Sequence, residues 1–156
     1  GNLSTGGNGS TASTYTPGVY VGSTSLTMPT GIILDAQGNP NAQFVFVAGS
    51  TINLASGQTV SLVNGATAAN VVFVAGSSFT SVATSTMNGN ILAAVSITLG
   101  GEVQNGRALA NTGAVTIAAA TTVTVVSSVN TSTGEVPAGT NLSAEVLQIS
   151  GYCGDY

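Results

Sequence analysis

An all-β solenoid of triangular cross-section is the fold this sequence predicts, and three observations carry the prediction. The segment Gln43-Phe44-Val45-Phe46-Val47-Ala48-Gly49-Ser50 returns about 27 positions later as Asn70-Val71-Val72-Phe73-Val74-Ala75-Gly76-Ser77, and self-similarity at that period marks stacked repeats. Looser copies follow at Asn90-Ile91-Leu92-Ala93-Ala94 and, about 17 positions on, at Arg107-Ala108-Leu109-Ala110. Between these copies the chain falls into triplets of short β-branched runs broken at Gly, Ser or Asn, which is how three strands per turn of a coil are written.

Taken in order, residues 1–14 (GNLSTGGNGSTAST) hold a single large apolar side chain and predict a flexible lead-in, because they cannot bury enough surface to offset the entropy of ordering. Pro17-Gly18 then introduces an alternating strand through Val21, with further strands at 26–28 and 31–35 and a turn at Ala36-Gln37-Gly38-Asn39-Pro40-Asn41. The solenoid is predicted over residues 15–126. Its first face carries residues 44–49, 71–76, 90–95 and 107–110; its second, 50–54, 78–82, 96–99 and 115–118; its third, 59–63, 85–87, 102–104 and 122–125. Polar and apolar residues alternate on the second and third faces, so each strand turns one side inward and shows Thr, Ser or Asn to water. The first face is apolar on both sides, with Phe44 and Phe46 directed oppositely to Val45 and Val47, so its outer side calls for a cover. Residues 127–156 are expected to form a linker, a terminal strand near 141–149 and a tail.

Composition excludes several function classes. Charged residues make up 4% of 156, against roughly 25% in ordinary globular proteins, with 21 Gly and many Ser, Thr and Asn in their place. Arg107 is the one basic residue, so no basic patch exists to neutralise phosphates, and nucleic acid is excluded as a partner. No apolar run approaches the ~20 residues of a membrane span. Gly1 opens a polar segment without a signal-peptide pattern. With no His, the commonest general base and metal ligand are both missing, and the plentiful serines have no His or Lys to activate them. Asp35, Glu102, Glu135, Glu145 and Asp155 are scattered, and no local spacing pairs any two. No catalytic, cofactor or metal site is therefore expected. Asp35 reads as a turn residue beside Asn39 rather than a calcium ligand. Arg107 is compatible with pairing to Glu102 and equally with an isolated solubilising charge. Cys153 stands alone, and the sequons at Asn2, Asn8, Asn130 and Asn141 fit secretion.

The succession TPGVY (16–20), LDAQGNPNAQFVFVAGSTINLASG (34–57), VNGATAANVVFVAGSS (63–78), GNILAAVSITL (89–99) and NGRALANTGAVTI (105–117) resembles the ice-binding-like family of secreted microbial proteins. The resemblance covers roughly residues 15–120 and keeps the order of the motifs. It implies a right-handed, discontinuous β-solenoid, extracellular or at the cell surface, whose flat face adsorbs to ice, or, as in family members outside cold habitats, an extracellular domain with another role. In that family a long helix lies along one side of the solenoid after an N-terminal segment that completes the rungs, and neither is legible in these residues.

Adsorption to ice calls for a rigid, flat array of modest polarity. Outward Thr columns supply a methyl and a hydroxyl at each point, and β-branching leaves little side-chain freedom to lose. Thr51, Asn53, Thr80, Thr98 and Thr116 on the second face are the expected ice-contacting residues. The alternative role is a self-assembling extracellular fibre or adhesion subunit, a homo-oligomer built through the apolar first face and the terminal strand, with Phe44, Phe46, Phe73, Val146 and Ile149 as the self-association residues.

Overall fold

The computed structural model describes residues 12–100, 103–118 and 121–124. β1 (Ser13–Tyr15) leads into five successive turns of three strands each. The first turn holds β2 (Gly18–Gly22), β3 (Leu26–Met28) and β4 (Ile32–Asp35), and the second holds β5 (Phe44–Ala48), β6 (Ile52–Leu54) and β7 (Val60–Val63). The third consists of β8 (Val71–Ala75), β9 (Phe79–Ser81) and β10 (Thr86–Asn88), and the fourth of β11 (Asn90–Ala93), β12 (Ile97–Leu99) and β13 (Val103–Asn105). β14 (Ala108–Ala110), β15 (Val115–Ile117) and β16 (Thr122–Thr124) make the fifth. Each strand pairs in parallel with its counterpart one turn away, giving a first face ordered β2-β5-β8-β11-β14 and a second ordered β3-β6-β9-β12-β15. The all-β solenoid and the three faces expected from the repeats are those observed. Among the described residues the helix content is one 3-10 turn, Ala68–Asn70.

Register explains the two repeat lengths. Phe44 lies beside Val71, 27 positions on, whereas Ile91 lies beside Ala108, 17 positions on. The long turns carry an extra loop at the corner between third and first faces, residues 36–43 and 64–70. These loops pack on each other: Gly38 N donates to Asn64 O at 2.9 Å, and Asn70 Nδ2 to Pro40 O at 3.1 Å. Asp35 holds the first loop as expected of a turn residue, its Oδ1 accepting from Gln37 N and Asn64 Nδ2, both at 2.8 Å. These two hydrogen bonds, the Asn64 side chain foremost, hold its carboxyl below the usual carboxylate range.

The third face is split into β1-β4-β7 and β10-β13-β16, which meet at a parallel bridge between Thr59 and Thr86. The break falls where the turn shortens. β7 runs on to Val63 and enters a loop, but the chain after Asn88 swings at once into β11, and the Asn88 side chain, not a ladder amide, donates to Val60 O at 2.7 Å. Asn105 stacks below it and donates to Asn88 Oδ1 at 2.7 Å. The turn after each Asn uses Gly89 and Gly106, both at φ 144, where a Cβ on Gly106 would collide with the carbonyl oxygen of Gly89.

Inward side chains stack in columns through the interior. Tyr20, Phe46 and Phe73 form an aromatic column with near-parallel rings 5.1 and 5.0 Å apart, and Tyr15 caps it edge-on to both Tyr20 and Phe46. Ile52, Phe79 and Ile97 fill the column behind the second face, and Ile32 and Val60 that behind the third. Phe44, Phe46 and Phe73 are fully enclosed, which corrects their expected place as self-association residues. The wide cross-section needs the larger side chains inside, so the first face shows solvent the smaller partners: Val19, Val45 and Val72 in one column, and Val21, Val47, Val74, Leu92 and Leu109 in the other. The other two self-association residues, Val146 and Ile149, lie outside the described residues, as does the rest of 127–156.

Two outcomes follow from this construction. Gly106→Ala should lower stability by about 3 kcal/mol, read as a drop in thermal unfolding midpoint, because both the positive φ and the Gly89 carbonyl oppose a side chain. Asp35, whose carboxyl titrates lower in the folded than in the unfolded chain, contributes stability that is present above the unfolded value and lost as pH falls through the folded one. Asp35→Asn should therefore flatten the loss of stability below about pH 4, and an unchanged acid limb would count against the turn contact.

Candidate functional site

The second face is the most regular surface of the molecule. Its strands read Leu-Thr-Met, Ile-Asn-Leu, Phe-Thr-Ser, Ile-Thr-Leu and Val-Thr-Ile; in the first four the outer two residues are buried and the middle one is more exposed, and in the last Ile117 is exposed as well as Thr116. Register brings the middle residues into a single column, Thr27, Asn53, Thr80, Thr98 and Thr116. Spacing along the column is that of neighbouring strands, ~4.8 Å. Thr27 was not among the expected residues, although Leu26-Thr27-Met28 carries the same inward-outward-inward pattern as Ile97-Thr98-Leu99.

A second column runs two residues upstream, ~6.7 Å away along the strands. Backbone bonds from Leu26 N to Thr51 O, Ile52 N to Ser78 O, Phe79 N to Ser96 O and Ile97 N to Ala114 O align Ser25, Thr51, Ser78, Ser96 and Ala114. Thr51 therefore belongs to this column, and the five expected residues divide between the two. Here hydroxyls bond one another across turns: Thr51 Oγ1 donates to Ser25 Oγ at 2.8 Å, and the Ser78 and Ser96 oxygens lie 3.0 Å apart. Asn53 Nδ2 donates to Thr51 Oγ1 at 3.3 Å, tying the two columns together at the second turn. Among the described residues no hydrogen bond engages the hydroxyls of Thr27, Thr80, Thr98 or Thr116.

This surface holds no group that titrates near neutral pH and no fixed charge; it presents methyls and hydroxyls held at repeating positions by the ladder beneath them. A recess at the N-terminal end, beside Tyr15, Leu26, Met28 and Ile32, has about 10 Å³ of room, the space of one water molecule. Among the described residues no three His, Cys, Asp or Glu side chains come together, and no helix is long and apolar enough to cross a membrane. Arg107 is exposed at the end of the first-face column that runs through Val72 and Asn90, its backbone N–H donating to Asn90 Oδ1 at 3.2 Å. Glu102 lies outside the described residues.

An ice-binding protein from Nostoc sp. (strain HG1) is 48% identical over 106 residues, which are 67% of this chain and 39% of that protein, so the chain spans about two fifths of that relative's length. The crystal structure of an ice-binding protein from an Antarctic biological consortium is 36% identical with a TM-score of 0.74, over 80% of this chain and 55% of that one. The ice-binding protein of the Antarctic ascomycete Antarctomyces psychrotrophicus is 32% identical with a TM-score of 0.70, over 76% of this chain and 60% of that one. The family profile described as ice-binding-like matches residues 2–124, through every turn from β1 to β16, and the chain belongs to that family.

Proposed function

We propose that this chain is a non-enzymatic, extracellular ice-binding protein that adsorbs to ice through its second face. The observation that carries the reading is the Thr-rich column of β3, β6, β9, β12 and β15, whose threonine hydroxyls make no hydrogen bond among the described residues and whose side chains are spaced by the strand ladder. Ice presents an ordered array of water, and a surface whose groups are already fixed loses little entropy on meeting it. Thr51 and Asn53 contribute from the second turn, and Thr80, Thr98 and Thr116 from the third to the fifth. The relatives named as ice-binding proteins support the substrate, and the uncharged composition supports a surface that competes weakly for bulk water.

Purified protein should facet slowly growing ice crystals and slow their recrystallisation. Thr98→Tyr, in the middle of the column, should raise the concentration needed by at least ~10-fold, the effect of losing about 1.4 kcal/mol of contact, without moving the unfolding midpoint. A wild-type chain that leaves crystal habit and grain growth unchanged would sink the reading.

A second role, as a subunit of an extracellular assembly, has its own support in the first face. Val19, Val21 and Leu109 are 56%, 52% and 54% exposed there, in line with the partly covered Val45, Val47, Val72 and Val74. A flat apolar strip of this kind favours self-association. Sedimentation at rising concentration should show species larger than the monomer, which Val21→Asp with Leu109→Asp should abolish; a monomer throughout would end the idea.

A further inference from the structure

Resting on the ice-binding reading above, we infer that Asn53 is the residue that limits the unbroken length of the ice-contacting array: it divides the outward column and leaves Thr80, Thr98 and Thr116 as its longest uninterrupted run. The column reads Thr27, Asn53, Thr80, Thr98, Thr116 from the first turn to the fifth. Four of its five members are β-branched and offer a methyl and an uncommitted hydroxyl at the same height. The fifth is not. Asn53 lacks the branch that fixes χ1, places a larger planar amide where its neighbours place a methyl, and directs that amide sideways to Thr51 Oγ1.

The neighbourhood of Asn53 differs from the rest of the face in one respect: hydroxyls bridge the upstream column both at Ser25–Thr51 and at Ser78–Ser96, but among the described residues that column is tied to the outward one at Asn53 alone. Thr51 has one hydroxyl proton, and it goes to Ser25 Oγ, while the oxygen of Thr51 accepts from Asn53. The three side chains form a relay of two hydrogen bonds over the first two turns, and they are partly buried. The Thr51 hydroxyl proton and one Asn53 amide proton are thereby committed within the protein. Thr98 and Thr116, by contrast, are exposed, and Thr80, partly buried like Asn53, has its hydroxyl in no hydrogen bond among the described residues. Thr27 is exposed as well but stands isolated on the far side of Asn53.

Contact with a crystal is multivalent, so the length of the uninterrupted array counts for more than the number of threonines. Three consecutive turns span two strand spacings, ~10 Å, and five span four, ~19 Å. Replacing Asn53 by Thr would join Thr27 to Thr80 and make the column continuous from β3 to β15. The backbone there is extended and already accepts Thr at the flanking positions of the same ladder, so the substitution suits the strand.

The test compares the wild-type chain, Asn53→Thr, Asn53→Val and Ser61→Tyr in ice recrystallisation assays, with thermal unfolding of each as a check on folding. Ser61 lies on β7 of the third face and serves as a control for added bulk away from the array. Asn53→Thr should lower the concentration needed by about threefold or more, as lengthening a multivalent contact predicts. Asn53→Val restores the branch without the hydroxyl and should gain in the same direction by less, which also decides the matter should the Thr variant fold poorly. An active wild type with neither variant improved, at unchanged unfolding midpoints, overturns the role of Asn53 and leaves the ice-binding reading standing. A wild type inert on ice removes both together.

Discussion

The parallel, in-register stacking of one turn on the next is the constraint from which the rest of the molecule follows. A parallel strand leaves every other side chain pointing into the interior, and with no sheet or helix layer inside, those side chains must fill the space themselves. They do so by matching like with like across turns: Tyr20 on Phe46 on Phe73, Leu26 on Ile52 on Phe79. A slip of one residue in any turn would exchange the inner and outer sets and expose the aromatic column. Register is thus held by burial as strongly as by backbone hydrogen bonds.

The same constraint accounts for the irregular features. A chain that shortens its turn from 27 residues to 17 must lose a loop without disturbing the columns, and the loss falls at the corner between third and first faces. There a glycine at φ 144 replaces seven loop residues, 64–70, the Asn88 side chain takes the place of a ladder bond to Val60, and the Asn105 side chain stacks on it within the paired strands. The repeated Asn-Gly pair is the trace in sequence of that corner. The long turns keep their loops, packed on each other and held by Asp35, so the two ends of the solenoid differ in outline although the first and second faces run through both.

Function in such a molecule is a property of faces, since almost no ionisable chemistry is present. The second face combines three regularities: inward Leu, Ile or Phe to anchor it, an outward column rich in β-branched hydroxyl residues, and a ladder that sets the spacing of that column. The first face has the same geometry with Val and Leu outward, which makes it a surface suited to another apolar surface. Both are parallel five-stranded ladders, and what separates them is the chemistry of the alternate residue.

How much of this was legible beforehand depends on whether the information is local. Strand positions, the three faces and the two repeat lengths were readable because a repeat prints its period directly, as in Phe44-Val45-Phe46-Val47 and Val71-Val72-Phe73-Val74, and because Gly and Asn punctuate the corners. The absence of His and the scarcity of charge were likewise plain, and they directed attention to a surface rather than a pocket. Family membership was readable from the order of the motifs. Alternation, however, states that Phe46 and Val47 face opposite ways without stating which is inside, and the aromatic residues were assigned to an outer surface they do not occupy. Only the closed cross-section decides that, because its volume demands the larger side chain. Thr27 was passed over for a similar reason: its strand is three residues long, and its place in the column exists only through the register of β3 on β6. The hydrogen bond of Thr51 to Ser25 joins residues 26 positions apart in the chain, so that pairing is a fact of stacking distance that no local pattern contains.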